Sequence, residues 1–146
     1  MILASAYFVH RIIRESSCFE LAFFKQKFLT AYHAEASLRL IQNVARPNGI
    51  FPHETAMVFK NVISDGFARW LRGKSDLRNT LAHYGVDTKL KIDPYMSYEE
   101  VIRYLLGDRD FSDVNSELDR YLSLLVNELA LGFCVDENTF WYGAVK

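Results

Sequence analysis

The chain has 146 residues, half of them apolar and 14% aromatic, with a formal net charge of −1. That length suits one domain with a substantial core, and the apolar content excludes a disordered chain. Near-neutral charge excludes a protein whose whole surface is built for nucleic acid and leaves that part to a local basic patch.

The first stretch, Met1 to Val9, is apolar like the core of a signal peptide, but no basic residue precedes it and His10, Arg11 and Arg14 follow. It is also too short to span a bilayer, so it reads as a buried first helix over residues 2 to about 14 of a soluble, cytoplasmic protein. Ser16 and Ser17 offer a break. The two cysteines, Cys18 and Cys134, are far apart and lack ligand spacing. Neither a disulfide framework nor a zinc site is expected, and a reducing compartment fits.

From Cys18 to about Ala45 runs the longest helical pattern, with Leu21, Phe24, Phe28, Ala31, Leu38 and Ile41 at three- and four-residue steps. Glu35 falls in that stripe. A carboxylate on an apolar face is costly unless paired. Either the stripe drifts and Glu35 is exposed, or it meets a basic partner near Arg78. Arg46 to Gly49 is a turn by composition, and Pro52 opens the next helix. That helix runs to about Leu71, with Ala56, Phe59, Ile63, Phe67 and Trp70 on one face and Gly66 as an interruption that need not end it.

Ser75 to Gly85 reads as a short helix with Ser75 as N-cap, Asp76 at the positive end of the dipole and Gly85 as terminator. Leu77, Leu81 and Tyr84 pin one side to a core. On the other side, at roughly 100° per residue, Asn79 and His83 lie within about 40° of each other, and Arg78 sits about 100° from Asn79. Their side chains can converge on one bound group. Arg69, Arg72, Lys74 and Arg78 form the one locally basic region, either a solvated face or a phosphate-attracting one.

Val86 to Tyr95 alternates and carries Pro94, so it is a loop or extended segment. Ser97 to Glu100 is a capping box opening a helix that Gly107 closes. After a link at 108–112, Val114, Leu118, Tyr121, Leu125 and Leu129 stripe a last long helix, suited to a bundle core or a dimer face. Phe140, Trp141 and Tyr142 would be an exposed aromatic patch unless covered. His10, His33 and His53 are scattered and read as ordinary surface or core residues. Helices joined by short turns, with no convincing strands, predict an all-α, up-and-down bundle of about five helices in a single domain over 1–146.

Arg78-Asn79-Thr80-Leu81-Ala82-His83, with Tyr84 next, resembles the signature of HEPN domains, in which an Arg, usually followed by a small polar residue, precedes a His by a few positions. The resemblance covers most of the chain and implies a four- or five-helix bundle. It also implies a two-fold homodimer with two Arg/His pairs in one cleft. Many HEPN proteins are metal-independent endoribonucleases of toxin–antitoxin or defence type, so the implied partner is RNA and no cofactor or metal is needed. The 2′-hydroxyl is the nucleophile, and the products are a 2′,3′-cyclic phosphate and a 5′-hydroxyl.

On this reading Arg78, His83 and Asn79 are catalytic: His83 moves a proton near neutrality, Arg78 holds phosphate, and Asn79 orients His83 or holds the scissile phosphate. Arg69, Arg72 and Lys74 would bind substrate. Some HEPN toxins carry a Tyr two positions after the His, which a nucleotidyltransferase-type antitoxin modifies. Here Gly85 holds that place, and Tyr84 reads as core. The alternative is a catalytically inactive HEPN-like module binding nucleotide, RNA or a protein partner.

Overall fold

The computed structural model describes residue 6 and residues 20–48, 53–83, 92–93 and 95–132. Most of the segment expected as the N-terminal helix, with Tyr84, Gly85 and the aromatic tail, lies outside them; of that segment Ala6 is helical and fully buried. The described residues form six helices and no strand: α1 (Glu20–Asn48), α2 (His53–Ser64), α3 (Gly66–Arg72), α4 (Ser75–His83), α5 (Tyr98–Leu106) and α6 (Phe111–Gly132). The all-α expectation holds. No described helix is long and apolar enough to cross a membrane.

The helix count exceeds the expected five because the pattern from Pro52 to Leu71 is two helices. Asp65 is the reason: its carboxylate accepts hydrogen bonds from the backbone N–H groups of Phe67 (2.8 Å) and Ala68 (3.3 Å), capping a new helix at Gly66. Phe59 and Ile63 are buried as expected, together with Val62, but Ala56, expected on the same face, is exposed. At the other boundaries, α1 continues through Pro47 to Asn48, where a missing proline N–H removes only one late hydrogen bond. The capping box at Ser97 is present, with Glu100 N–H donating to Ser97 Oγ and Ser97 N–H to Glu100. Gly107 closes α5 at a φ of 76°, where a side chain would be strained.

Helix α1 is the spine, touching α2, α3, α4 and α6; α2 and α3 also pack on α6, and α5 on α4. The shared core holds Phe24, Phe28, Phe59, Phe67, Leu81, Ile102, Leu118 and Tyr121, and all five expected stripe residues of α6 are buried. Aromatic rings extend it: Phe24 lies 4.5 Å from Phe111 and Phe67 stacks on Trp70 at 5.1 Å. Two polar ties clamp α6. Lys27, almost fully buried, donates to Asp119 at 2.9 Å and Asn115 at 3.2 Å, and Arg120 bridges Asp65 at 2.9 Å.

Tyr121 is fully buried, yet its hydroxyl has no partner among the described residues. Burial first, then the charges of Glu35 and Asp65, push its pKa up, so the phenol stays protonated. Removing an unsatisfied buried hydroxyl relieves a desolvation cost, so Tyr121→Phe is expected to raise stability by about 1 kcal/mol. Leu118→Ala, a cavity in the same helix, should lose about 3 kcal/mol. Urea unfolding of both variants at an unchanged m-value checks the contrast.

Burial opposes the Asp65 charge, but the Arg120 and backbone hydrogen bonds outweigh it and hold the Asp65 pKa below its ordinary 3.8. A depressed carboxylate contributes stability that is present above the ordinary value and lost as pH falls through the lowered one. Asp65→Asn should therefore be less stable than the parent at neutral pH, with the gap closing below about pH 4; thermal melts across pH 2–7 report it.

Candidate functional site

The motif helix α4 begins at Ser75 itself. Arg78 N–H donates to the carbonyl of Lys74 at 2.9 Å, so Lys74, not Ser75, stands at the N-cap position. Leu77, Thr80 and Leu81 face inward and fix the rotation of the helix. That rotation leaves Arg78 and Asn79 half-buried and His83 exposed in the last turn, where the helix dipole favours a cation.

Arg78 Nη1 donates to Asn79 Oδ1 at 2.8 Å, which holds the guanidinium in place. Its Nε is buried and has no hydrogen-bond partner among the described residues. Among the described residues no carboxylate pairs with Arg78. The structure therefore joins Arg78 and Asn79 directly, while His83 lies one turn along on the Asn79 side and outside that bond. A guanidinium held in one orientation, with no carboxylate on it among the described residues, can bind an anion through its accessible N–H groups.

The other three basic residues differ in what already holds them. Arg72 is committed inward: its Nε donates to Glu35 Oε1 at 2.5 Å and its Nη2 donates to the Ile63 carbonyl. Arg39 adds a second cation 3.6 Å from the same oxygen. Glu35 is only 2% exposed, so the drifting-stripe alternative is wrong and the pairing alternative right, with Arg72 rather than Arg78 as its partner. The apolar stripe of α1 runs through Glu35 to Leu38; Ile41, expected on it, is exposed, as are Leu40 and Val44.

Lys74 donates to the carbonyls of Leu105 (2.9 Å) and Leu106 (3.0 Å), satisfying the carboxyl end of α5. Burial, and then the charge of Arg109, lower its pKa. Arg69 is exposed, with no side-chain partner among the described residues.

One histidine read as ordinary in the sequence is affected by the charge of Arg78. His33, on the exposed side of α1, has its pKa lowered from 6.5, first by partial burial and then by the charge of Arg78. Its ring meets Tyr32 edge-on at 5.8 Å.

A groove of about 470 Å³ lies elsewhere, lined by Gly66, Phe67, Arg109, Asp113, Glu117 and Arg120. Arg120 is neutralised there by Asp65 and Glu117. Among the described residues no cluster of His, Cys, Asp and Glu is arranged to hold a metal ion.

Because truncating Arg72 strands a buried carboxylate, Arg72→Ala is expected to cost about 3 kcal/mol, at the lower end for a broken buried pair since Arg39 remains. Arg69→Ala should change stability by less than about 0.5 kcal/mol; denaturant midpoints separate the two. Compared with protein-family models, curated proteins and solved structures, the chain has no significant match.

Proposed function

We propose that the protein is a metal-independent endoribonuclease of HEPN type, in which the exposed rim of α4 receives a phosphodiester of single-stranded RNA. The observation that carries this reading is the Arg78 guanidinium: held by Asn79, not neutralised by any described carboxylate, and left with a buried Nε donor. Such a group binds a phosphate oxygen with little reorganisation. His83, exposed on the same helix, would serve as the proton-transfer group.

The reaction needs no further nucleophile. The 2′-hydroxyl loses its proton and attacks the adjacent phosphorus. The 5′-oxygen leaves with a proton, giving a 2′,3′-cyclic phosphate and a 5′-hydroxyl end. Arg78 offsets charge on the non-bridging oxygens as the phosphorus becomes five-coordinate. Arg69, exposed, supplies attraction for neighbouring phosphates. Arg72 and Lys74, fixed by internal bonds, add only their long-range field. A two-fold homodimer, a nucleotidyltransferase-type antitoxin and a cytoplasmic site of action extend this reading from the HEPN resemblance.

Incubation with RNA in excess chelator should yield fragments with cyclic phosphate ends. Arg78→Ala and His83→Ala should each lower the rate by at least about 100-fold with helicity unchanged by circular dichroism. Cleavage rates equal to the parent's in both variants would overturn the proposal. RNA binding without any cleavage would assign the alternative, a catalytically inactive HEPN-like module.

A further inference from the structure

We propose that the groove lined by α3 and α6 is a base subsite that takes a guanine of the RNA strand, with Arg109 and Asp113 binding two edges of the same base. The proposal rests on the reading of the protein as an RNA-cleaving enzyme and adds a specificity site to it.

The groove, of about 470 Å³, lies in the size range of small-molecule sites. Two helix starts build it. Asp110 opens α6: its carboxylate accepts the Ser112 N–H at 2.7 Å and its carbonyl accepts the Val114 N–H at 3.0 Å. Asp113 therefore falls in the first turn of α6, one turn before Glu117 on the same face. Helix α3 contributes Phe67 and Gly66, and a Cβ at Gly66 would meet nothing beyond its own turn within 4 Å.

The groove carries two charges that the protein leaves unused. Arg120 is held by Asp65 and Glu117. Among the described residues, Arg109 and Asp113 have neither a hydrogen bond nor an ion pair, with each other or with any other group. Arg109 lies on aromatic rings instead, its guanidinium carbon 5.9 Å from the Phe67 centroid and 5.1 Å from the Trp70 centroid. Those contacts locate the guanidinium without consuming its N–H groups. Trp70 also links the groove to the motif helix. Lys74 Nζ is 5.1 Å from the same indole, and the Lys74 carbonyl accepts the Arg78 N–H.

One unpaired cation and one unpaired carboxylate in a single groove suit a ligand that is neutral overall, with acceptors on one edge and donors on another. An anion would meet Asp113 and Glu117. Among the RNA bases guanine has the matching edges. Its O6 and N7 accept a bidentate pair from an arginine, and its N1–H and 2-amino group, side by side, match the two oxygens of a carboxylate. Adenine and cytosine offer a carboxylate one amino group, and uracil offers one N–H flanked by two carbonyls.

The test is calorimetric titration of the full chain with free nucleosides. Guanosine should bind at least about tenfold more tightly than adenosine, cytidine, uridine or inosine, which lacks the 2-amino group. Asp113→Asn should erase the difference between guanosine and inosine. Arg109→Ala, and Gly66→Gln, which fills the groove, should each weaken guanosine binding by at least about tenfold with helicity unchanged by circular dichroism. In a fully 2′-O-methylated RNA strand, replacing a single guanosine by inosine should weaken binding by the same factor. If guanosine is preferred but the two strands bind alike, the ligand is a free nucleoside and the assignment to RNA falls. If no nucleoside binds, or all bind alike, while RNA is still cut in chelator, this inference falls and the α4 reading stands. If guanosine and its strand bind as expected but no RNA is cut, the cleavage reading falls and the base subsite stands.

Discussion

The ion pair between Glu35 and Arg72 fixes how the bundle is put together. A carboxylate in the middle of the apolar face of α1 is acceptable only if a cation reaches it, and Arg72 reaches it from the end of α3 while also donating to the Ile63 carbonyl near the end of α2. One guanidinium therefore ties together the spine, the last turn of α2 and the point where α3 gives way to α4. The elbow at Asp65 has the same logic: the carboxylate caps α3 and at once holds Arg120 of α6. These polar ties do not supply most of the stability, which comes from the buried aromatic and aliphatic core. They select one arrangement of short helices among several that would bury similar area.

That arrangement sets the chemistry of the motif helix. With Leu77 and Leu81 buried against α1, Arg78 is turned to the boundary between core and solvent, where partial burial strengthens its field and Asn79 limits its motion. Sharing the basic cluster between internal and external duties follows from the same packing. Arg72 and Lys74 build the frame, and Arg78, with Arg69, faces outward.

The sequence made much of the frame legible because helix periodicity, caps and glycine stops are local signals. The stripe of α6 and the capping box at Ser97 came through unchanged. The misses came where the deciding interaction is distant. Asp65 reads as a lone acid until its cap on Phe67 and its bridge to Arg120 are seen. Glu35 could be recognised as anomalous, but not matched to Arg72, a partner 37 positions away. Arg78 and Asn79 were legible as neighbours on a short helix, since that relation is set by 3.6-residue geometry alone.

The two contacts between α4 and α5 have a mechanical consequence. Lys74, just before α4, holds the last carbonyls of α5, and the Tyr98 hydroxyl, at the first residue of α5, donates to the Thr80 carbonyl late in α4 at 3.3 Å. Matching start to finish in this way makes the pair an antiparallel hairpin. A nine-residue helix is too short to persist alone in water, so α5 serves as a splint along its whole length. Arg78 and Asn79 are therefore carried on a short helix braced by α1 on its buried side and by α5 at both ends.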